Sequence, residues 1–272
     1  MSTENNPHDD NSGLLTFEGH LEVLRKLLIR ILAVAVCIAI VVFIFKDTTF
    51  KILLAPSEWD FVTYRGIEKV VGIINPNFHF EPFHVDLIAT DLSSQFMTHI
   101  TTAIYLGILF ASPFIVYELY KFVAPALYDN EKQYSKQIVI IVYLLFILGV
   151  LMSYYVLFPI SFRFLGTYSV AAKVHSTITL DSYISTFTTL TLMMGLVFQL
   201  PVIAYILAKM GIVEADTLTK YRRHAFIIIM LIAAIITPPD VMTLILVGVP
   251  LYLLFEASIK IIRHTRKHNA EK

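Results

Sequence analysis

Charge is scarce in this chain. Asp, Glu, Lys and Arg make up 15% of its 272 residues, where soluble domains carry about 25%. The 21 basic residues are balanced by 21 acidic ones, so no excess of one sign draws it to nucleic acid. Cysteine occurs once, as Cys37 inside an apolar run, which excludes an intrachain disulfide and leaves a small lipid- or helix-facing residue. Catalytic signatures are missing as well: no G-x-S-x-G elbow, no H-E-x-x-H and no phosphate-cradling glycine loop. Neither an enzyme nor a cofactor is therefore expected. His79, Glu81, His84 and Asp86 lie close together, but strand-like alternation broken by Pro82 makes poor ligand geometry, and no metal is expected there.

Apolar residues are what the chain does have: 57% of the whole, with a mean hydropathy of +0.71. Long, nearly uncharged runs at about 27–45, 95–116, 138–160, 183–208, 225–236 and 241–259 predict six membrane helices, the fifth and sixth short. The first run outlasts a signal-peptide core, and Phe45-Lys46-Asp47 offers no small-residue cleavage site, so it reads as a permanent span. Lys and Arg cluster before the first run, after the second, after the fourth and at the C-terminus. Most of the 21 basic residues then fall inside if both termini are cytoplasmic.

Residues 1–16 are polar and expected to be disordered. From 17 to 28, Phe17, Leu21, Leu24 and Leu28 recur at helical spacing, as in an interfacial helix leading into the first span. The outer loop 46–94 carries apolar residues of its own and is expected to fold as a cap, extended over 77–91 and broken by Pro82. Residues 260–272 form a basic tail. Prolines 113, 159, 201 and 250 interrupt or end spans, predicting kinked helices around a concave wall, although packing alone also explains any one of them.

Two polar features lie outside this pattern. Gln199, near the middle of the fourth run, needs either an interhelical partner or a water-filled recess. The stretch "YELYKFVAPALYDNEKQ" (117–133) sets Glu118, Asp129 and Glu131 against Lys121 and Lys132. It is either a solvated loop or an acidic face suited to a guanidinium, whose planar fork binds carboxylate bidentately.

In order along the chain stand "HLEVLRKLL" (20–28), "SPFIVYELYKFVAPALYDNEK" (112–132), "SYYVLFP" (153–159), "VFQLPV" (197–202) and "ITPPDVMTLILVGVPLYLLFE" (236–256). Together they resemble the successive motifs of the TatC family, core membrane subunits of the twin-arginine protein translocase. The resemblance implies a glove-shaped, six-helix, all-α receptor in the bacterial inner membrane. It would bind twin-arginine signal peptides of folded cargo, self-associate, and recruit single-span subunits of the TatA and TatB types, with transport driven by the proton-motive force. It also implies that Phe122 and Glu131 form the signal-recognition surface with Glu22, Leu24 and Arg25. The family's usual glutamate falls on Val23, so Glu22 stands one position early, about 100° around a helix. Pro56, Pro113, Tyr154, Gln199, Pro201, Pro238, Pro239, Asp240 and Glu256 match further family positions. Gln199 stands where some members have glutamate, and here it cannot titrate.

The fifth run, Ala225 to Ile236, covers only about 18 Å of a core about 30 Å thick. Such a deficit calls for a locally thin bilayer or for water and partners, with Arg222 and Arg223 anchoring the inner end near headgroups. A secondary transporter would need ion-coupling polar groups at depth in several spans. A protease would need a base beside Ser112, Ser153 or Ser185. Neither set is present in the sequence.

Overall fold

The computed structural model of the chain describes residues 17–75, 82–123, 135–171, 177–209 and 213–270. The expectations for residues 1–16, for 77–81 and for Glu131 lie outside them.

Helix α1 (Phe17–Ile44) and helix α4 (Ser94–Val123) form the broadest helix contact. Glycine makes this possible: a Cβ on Gly107 would sit 2.7 Å from the Ala39 Cβ and 2.8 Å from the Ala35 carbonyl. Small residues let the backbones approach, which is how helices gain packing energy in lipid. The expected entry helix runs into the first span without a break, as one continuous α1. Its inward seam is Leu27, Ala35 and Val42, while Leu21 and Leu28, predicted for one face with Leu24, are exposed.

Between α1 and α4 the chain forms α2 (Lys46–Leu54), a 3-10 turn at Ala55–Ser57, α3 (Val62–Ile74) and the short strand β1 (Leu87–Ile88). The cap is thus largely helical. Its extended part, β1, pairs in parallel with β2 (Ile178–Thr179), Leu87 opposite Ile178 and Ile88 opposite Thr179.

The third run is one long helical course: α5 (Ser135–Met152), a π-helical segment Ser153–Leu157, and α6 (Phe158–Thr167). Pro159 accounts for the irregularity, since it has no N–H to offer the Tyr155 carbonyl. The Thr63 hydroxyl of α3 donates to that carbonyl instead. The fourth run is also interrupted: α7 (Leu180–Val197) gives way to α8 (Leu200–Lys209) just before Pro201. After α9 (Ala215–Lys220) come α10 (Arg222–Ile236) and α11 (Val241–Ala270).

Among the described residues, five helical stretches are long and apolar enough to cross a membrane: Leu21–Ile44, Ser94–Leu119, Val139–Thr167, Leu180–Ala208 and Val241–Arg263. Of the two short spans expected, only the fifth is short. Helix α10 has 15 residues, about 22 Å. Helix α11 has 30, because its apolar run carries on as helix into Lys260 and Arg263 without a breaker. The core gathers α7, α6 and the middle of α4 around Leu157, Phe158, Phe187, Leu190 and Met194.

Candidate functional site: the charged end of the bundle

The hairpin order of the spans puts the start of α1, the end of α4, the start of α10 and the end of α11 at one end of the bundle. Charged side chains meet across helices there. Arg30 of α1 reaches Glu118 of α4 at 3.5 Å. Glu118 is buried, its side chain 8% exposed, whereas that of Arg30 is 54% exposed. A buried carboxylate held by one long contact is under-satisfied, so this pair is less a rivet than an acid kept within reach of a guanidinium. One turn further along α4 stands half-buried Phe122, level with Arg25 and Lys26 one turn back on α1.

Among the predicted recognition residues, Leu24 is half-buried and Arg25 exposed. Glu22 pairs with Lys26 at 2.6 Å, one helical turn apart. Both side chains of that pair lie more than half in solvent, where screening leaves such a bond weak. It leaves Glu22 available to a better donor. The structure thus brings Glu22, Leu24, Arg25 and Phe122 to one end, with Glu131 falling in the segment outside the described residues.

A second ion pair joins the last two helices. Arg222 Nη2 donates to Glu256 Oε2 at 2.8 Å, and the Tyr252 hydroxyl donates to Oε1 at 3.2 Å. Arg222 is therefore not simply a headgroup anchor, as expected; its guanidinium turns to α11, while Arg223 stays exposed. Arg263 adds a bond to the Thr219 hydroxyl at 3.1 Å, which ties α11 to α9. Sequence reasoning missed Arg30 with Glu118 and Arg222 with Glu256 as pairs. The available signal was an arginine set in or beside an apolar run, which requires a partner.

The other matched positions serve the opposite end or the interior. Pro56 is buried in the 3-10 turn, and its carbonyl accepts from the Tyr64 hydroxyl at 3.1 Å. The Tyr154 hydroxyl donates to the Ile52 carbonyl at 2.8 Å. Asp240, following Pro238 and Pro239, caps α11 by accepting from the Thr243 N–H at 2.6 Å. Pro113 lies within α4, and Pro201 in the first turn of α8, where its missing N–H costs little. Gln199 Nε2 donates to the Val142 carbonyl of α5 at 3.1 Å and to Gly195 at 3.4 Å, which is the interhelical reading of the two left open above.

Among the described residues no three His, Cys, Asp or Glu side chains converge on a metal position; His84 and Asp86 pair at 3.1 Å on the surface. Ser153 shares a buried hydrogen bond with Thr191 at 3.1 Å.

Fold and charge together define a multi-pass helical membrane protein with one end joined by ion pairs. Residues 19–250 match the family model for TatC, the Sec-independent protein translocase protein. The TatC of a Blattabacterium of Periplaneta americana is 35% identical over 251 residues, 91% of this chain and 94% of that relative. The TatC of Carboxydothermus hydrogenoformans is 32% identical, over 90% of this chain and 91% of its own length. A crystal structure of the twin arginine translocase receptor TatC superposes with a TM-score of 0.71 at 29% identity, covering 90% of this chain and 98% of that one. The chain belongs to the TatC family of Sec-independent protein translocase proteins.

Proposed function

We propose that this chain is the signal-peptide receptor of a twin-arginine translocase, lying in a bacterial inner membrane with both termini in the cytoplasm. The observation that carries the reading is the α1–α4 junction. Its register gathers Glu22, Arg25 and Phe122 at one end, beside a buried Glu118 already paired with a guanidinium. The segment holding Glu131 follows immediately after α4. A twin-arginine peptide brings two planar cations, which suit carboxylates at a low-dielectric edge better than lysines do. The placement of basic residues supports the orientation.

Single-span subunits of the TatA and TatB types are the proposed partners in the membrane. Helix α10 offers Ile227, Leu231 and Ile235, each more than 60% exposed, on a helix too short for a full bilayer. The site-specific test is crosslinking from positions 122 and 131 to a twin-arginine signal peptide in inserted protein. Adducts at both are expected; correctly inserted protein giving none removes the assignment.

A further inference from the structure

Helix α3 of the cap turns an apolar face away from the bundle. At about 100° per residue, Val62, Val70, Ile73 and Ile74 fall within one sector about 120° wide. They are 65%, 64%, 84% and 85% exposed. Tyr64, on the other side of the helix, is buried. Arg65 and Glu68 lie outside the apolar sector and Lys69 borders it, the layout of a helix that rests in a bilayer surface.

The first turn of α3 sets its level. The Thr63 hydroxyl donates to the Tyr155 carbonyl of the π-helical segment, and the Tyr64 hydroxyl to the Pro159 carbonyl at 2.8 Å. That apolar stretch begins at Val139. From there a helix rises about 24 Å to Tyr155 and about 30 Å to Pro159, against a hydrocarbon core about 30 Å thick. Helix α3 therefore starts at the edge of the core. Aromatic rings gather at this level, as they do at membrane–water interfaces. Phe61 stacks on Tyr155, centroids 6.0 Å apart and 11° between planes, and Trp59 just before it is exposed.

Two observations say what covers the face. Leu144, Leu148, Leu151 and Tyr155 form an exposed stripe along the third span, a lipid-facing surface that leads up to the carbonyl holding Thr63. Thr63 itself lies inside the apolar sector of α3, and it reaches a carbonyl one turn deeper in the span than Tyr64 does. The sector is thereby turned towards hydrocarbon rather than water. We infer that α3 lies in the boundary between headgroups and acyl chains at the capped end, with Val62, Val70, Ile73 and Ile74 inserted among the lipids. The bilayer itself occupies the face, and Lys69 reaches the phosphates along its apolar stem. Which leaflet this is rests on the orientation proposed above; the insertion does not.

The test exploits the chain's single tryptophan. In a Trp59→Phe background, full-length Ile73→Trp and Ile74→Trp are reconstituted in phosphatidylcholine vesicles brominated high on the acyl chains. Gly72→Trp is the reference, because a Cβ there meets nothing within 4 Å and the position lies about 140° from the middle of the sector. Bromolipid should quench tryptophan at 73 and 74 at least about twofold more than at 72, and aqueous iodide should do the reverse. Val70→Trp repeats the reading should either isoleucine variant not fold. Iodide quenching at these positions as strong as at 72 overturns the inference. So does shielding from both quenchers, which would put a second copy of the chain on the face. No signal peptide enters the assay, so that failure is distinct from failure of the receptor assignment.

Discussion

The two ends of this bundle solve the same problem with different chemistry. At the capped end, neutral hydroxyls hold backbone carbonyls. The Tyr154, Tyr183 and Tyr64 phenols donate to Ile52, Leu53 and Pro56, and Tyr64 also to Pro159 at 2.8 Å. These bonds tie α3, the π-helical segment and α7 to the end of α2, the 3-10 turn and the start of α6. At the other end, helices are joined by Arg–Glu pairs with one or both partners partly in solvent. Neutral bonds in a dry cluster offer an incoming cation nothing. Ion pairs at an edge can be exchanged for a ligand's charges. The fold keeps one end fixed and leaves the other exchangeable.

Helix α10 spans the two regimes, and altering its length should have the largest effect. Its first residue is held by Glu256, and its last turn closes with the Thr237 hydroxyl on the Ala233 carbonyl at 2.9 Å, just before Pro238. One added turn, about 5.4 Å, cannot satisfy both anchors. It also removes the mismatch that the bilayer must otherwise meet. Inserting one turn of leucines in α10 should cut export of a folded twin-arginine reporter at least tenfold while membrane insertion persists. Unchanged export would show that the short helix has no bearing on transport.

The capped end should yield the next largest change, and in stability rather than ligand binding. Tyr183 is 2% exposed and its hydroxyl meets Leu53 at 2.8 Å. Tyr183→Phe leaves a buried carbonyl without its donor, at about 1–3 kcal/mol. Tyr64→Phe strips two carbonyls at once and should cost at least as much. Burial holds the Tyr64 phenol far above the ordinary tyrosine range, so alkaline pH should not open this cluster before the protein unfolds. Thermal melting in detergent, with signal-peptide crosslinking as the control, separates the ends. Both variants should melt lower and still crosslink.

Much of this was legible in advance, for identifiable reasons. Lipid-facing runs announce themselves by composition, and five of the expected runs coincide with helices long and apolar enough to cross a membrane. The helices of 46–74 could not be read in this way, because the burial of Tyr64 and Leu53 depends on α6 and α7, roughly a hundred residues away. The β1–β2 pairing involves two residues on each strand, too few for any period to register. Arg30 and Glu118 were each visible as charges; their meeting needed the α1–α4 register. The length of α11 was hidden because a basic stretch reads as tail until its helix is seen to continue.

Gln199 tests the interior between the ends. Its amide ties the α7–α8 turn to α5 through the Val142 carbonyl, and its Oε1 has no protein partner. Gln199→Leu forfeits one interhelical bond, worth about 0.6 kcal/mol in membranes, and relieves the unsatisfied oxygen. The two effects oppose, so the melting temperature should move by a few degrees at most. A large loss of export with unaltered melting would assign the residue a direct part in transport.

The smallest effect concerns the displaced acid of α1. Glu22 is held only by exposed Lys26, so Glu22→Gln should leave the melting temperature essentially unchanged. Its effect on recognition depends on direction. Val23, where the family's usual pattern has glutamate, is 41% exposed, and a carboxylate there would point about 100° away from that of Glu22. If the receptor surface includes the face of residue 23, Val23→Glu should raise crosslinking to the twin-arginine peptide a few-fold, and Glu22→Gln should leave it nearly unchanged. If instead Glu22 supplies the contact, the order reverses: Glu22→Gln weakens crosslinking and Val23→Glu adds nothing. Because an exposed acid can swing between lysine and a peptide arginine at little cost, the measurement is best made at low salt, where the Debye length is longest and the difference largest.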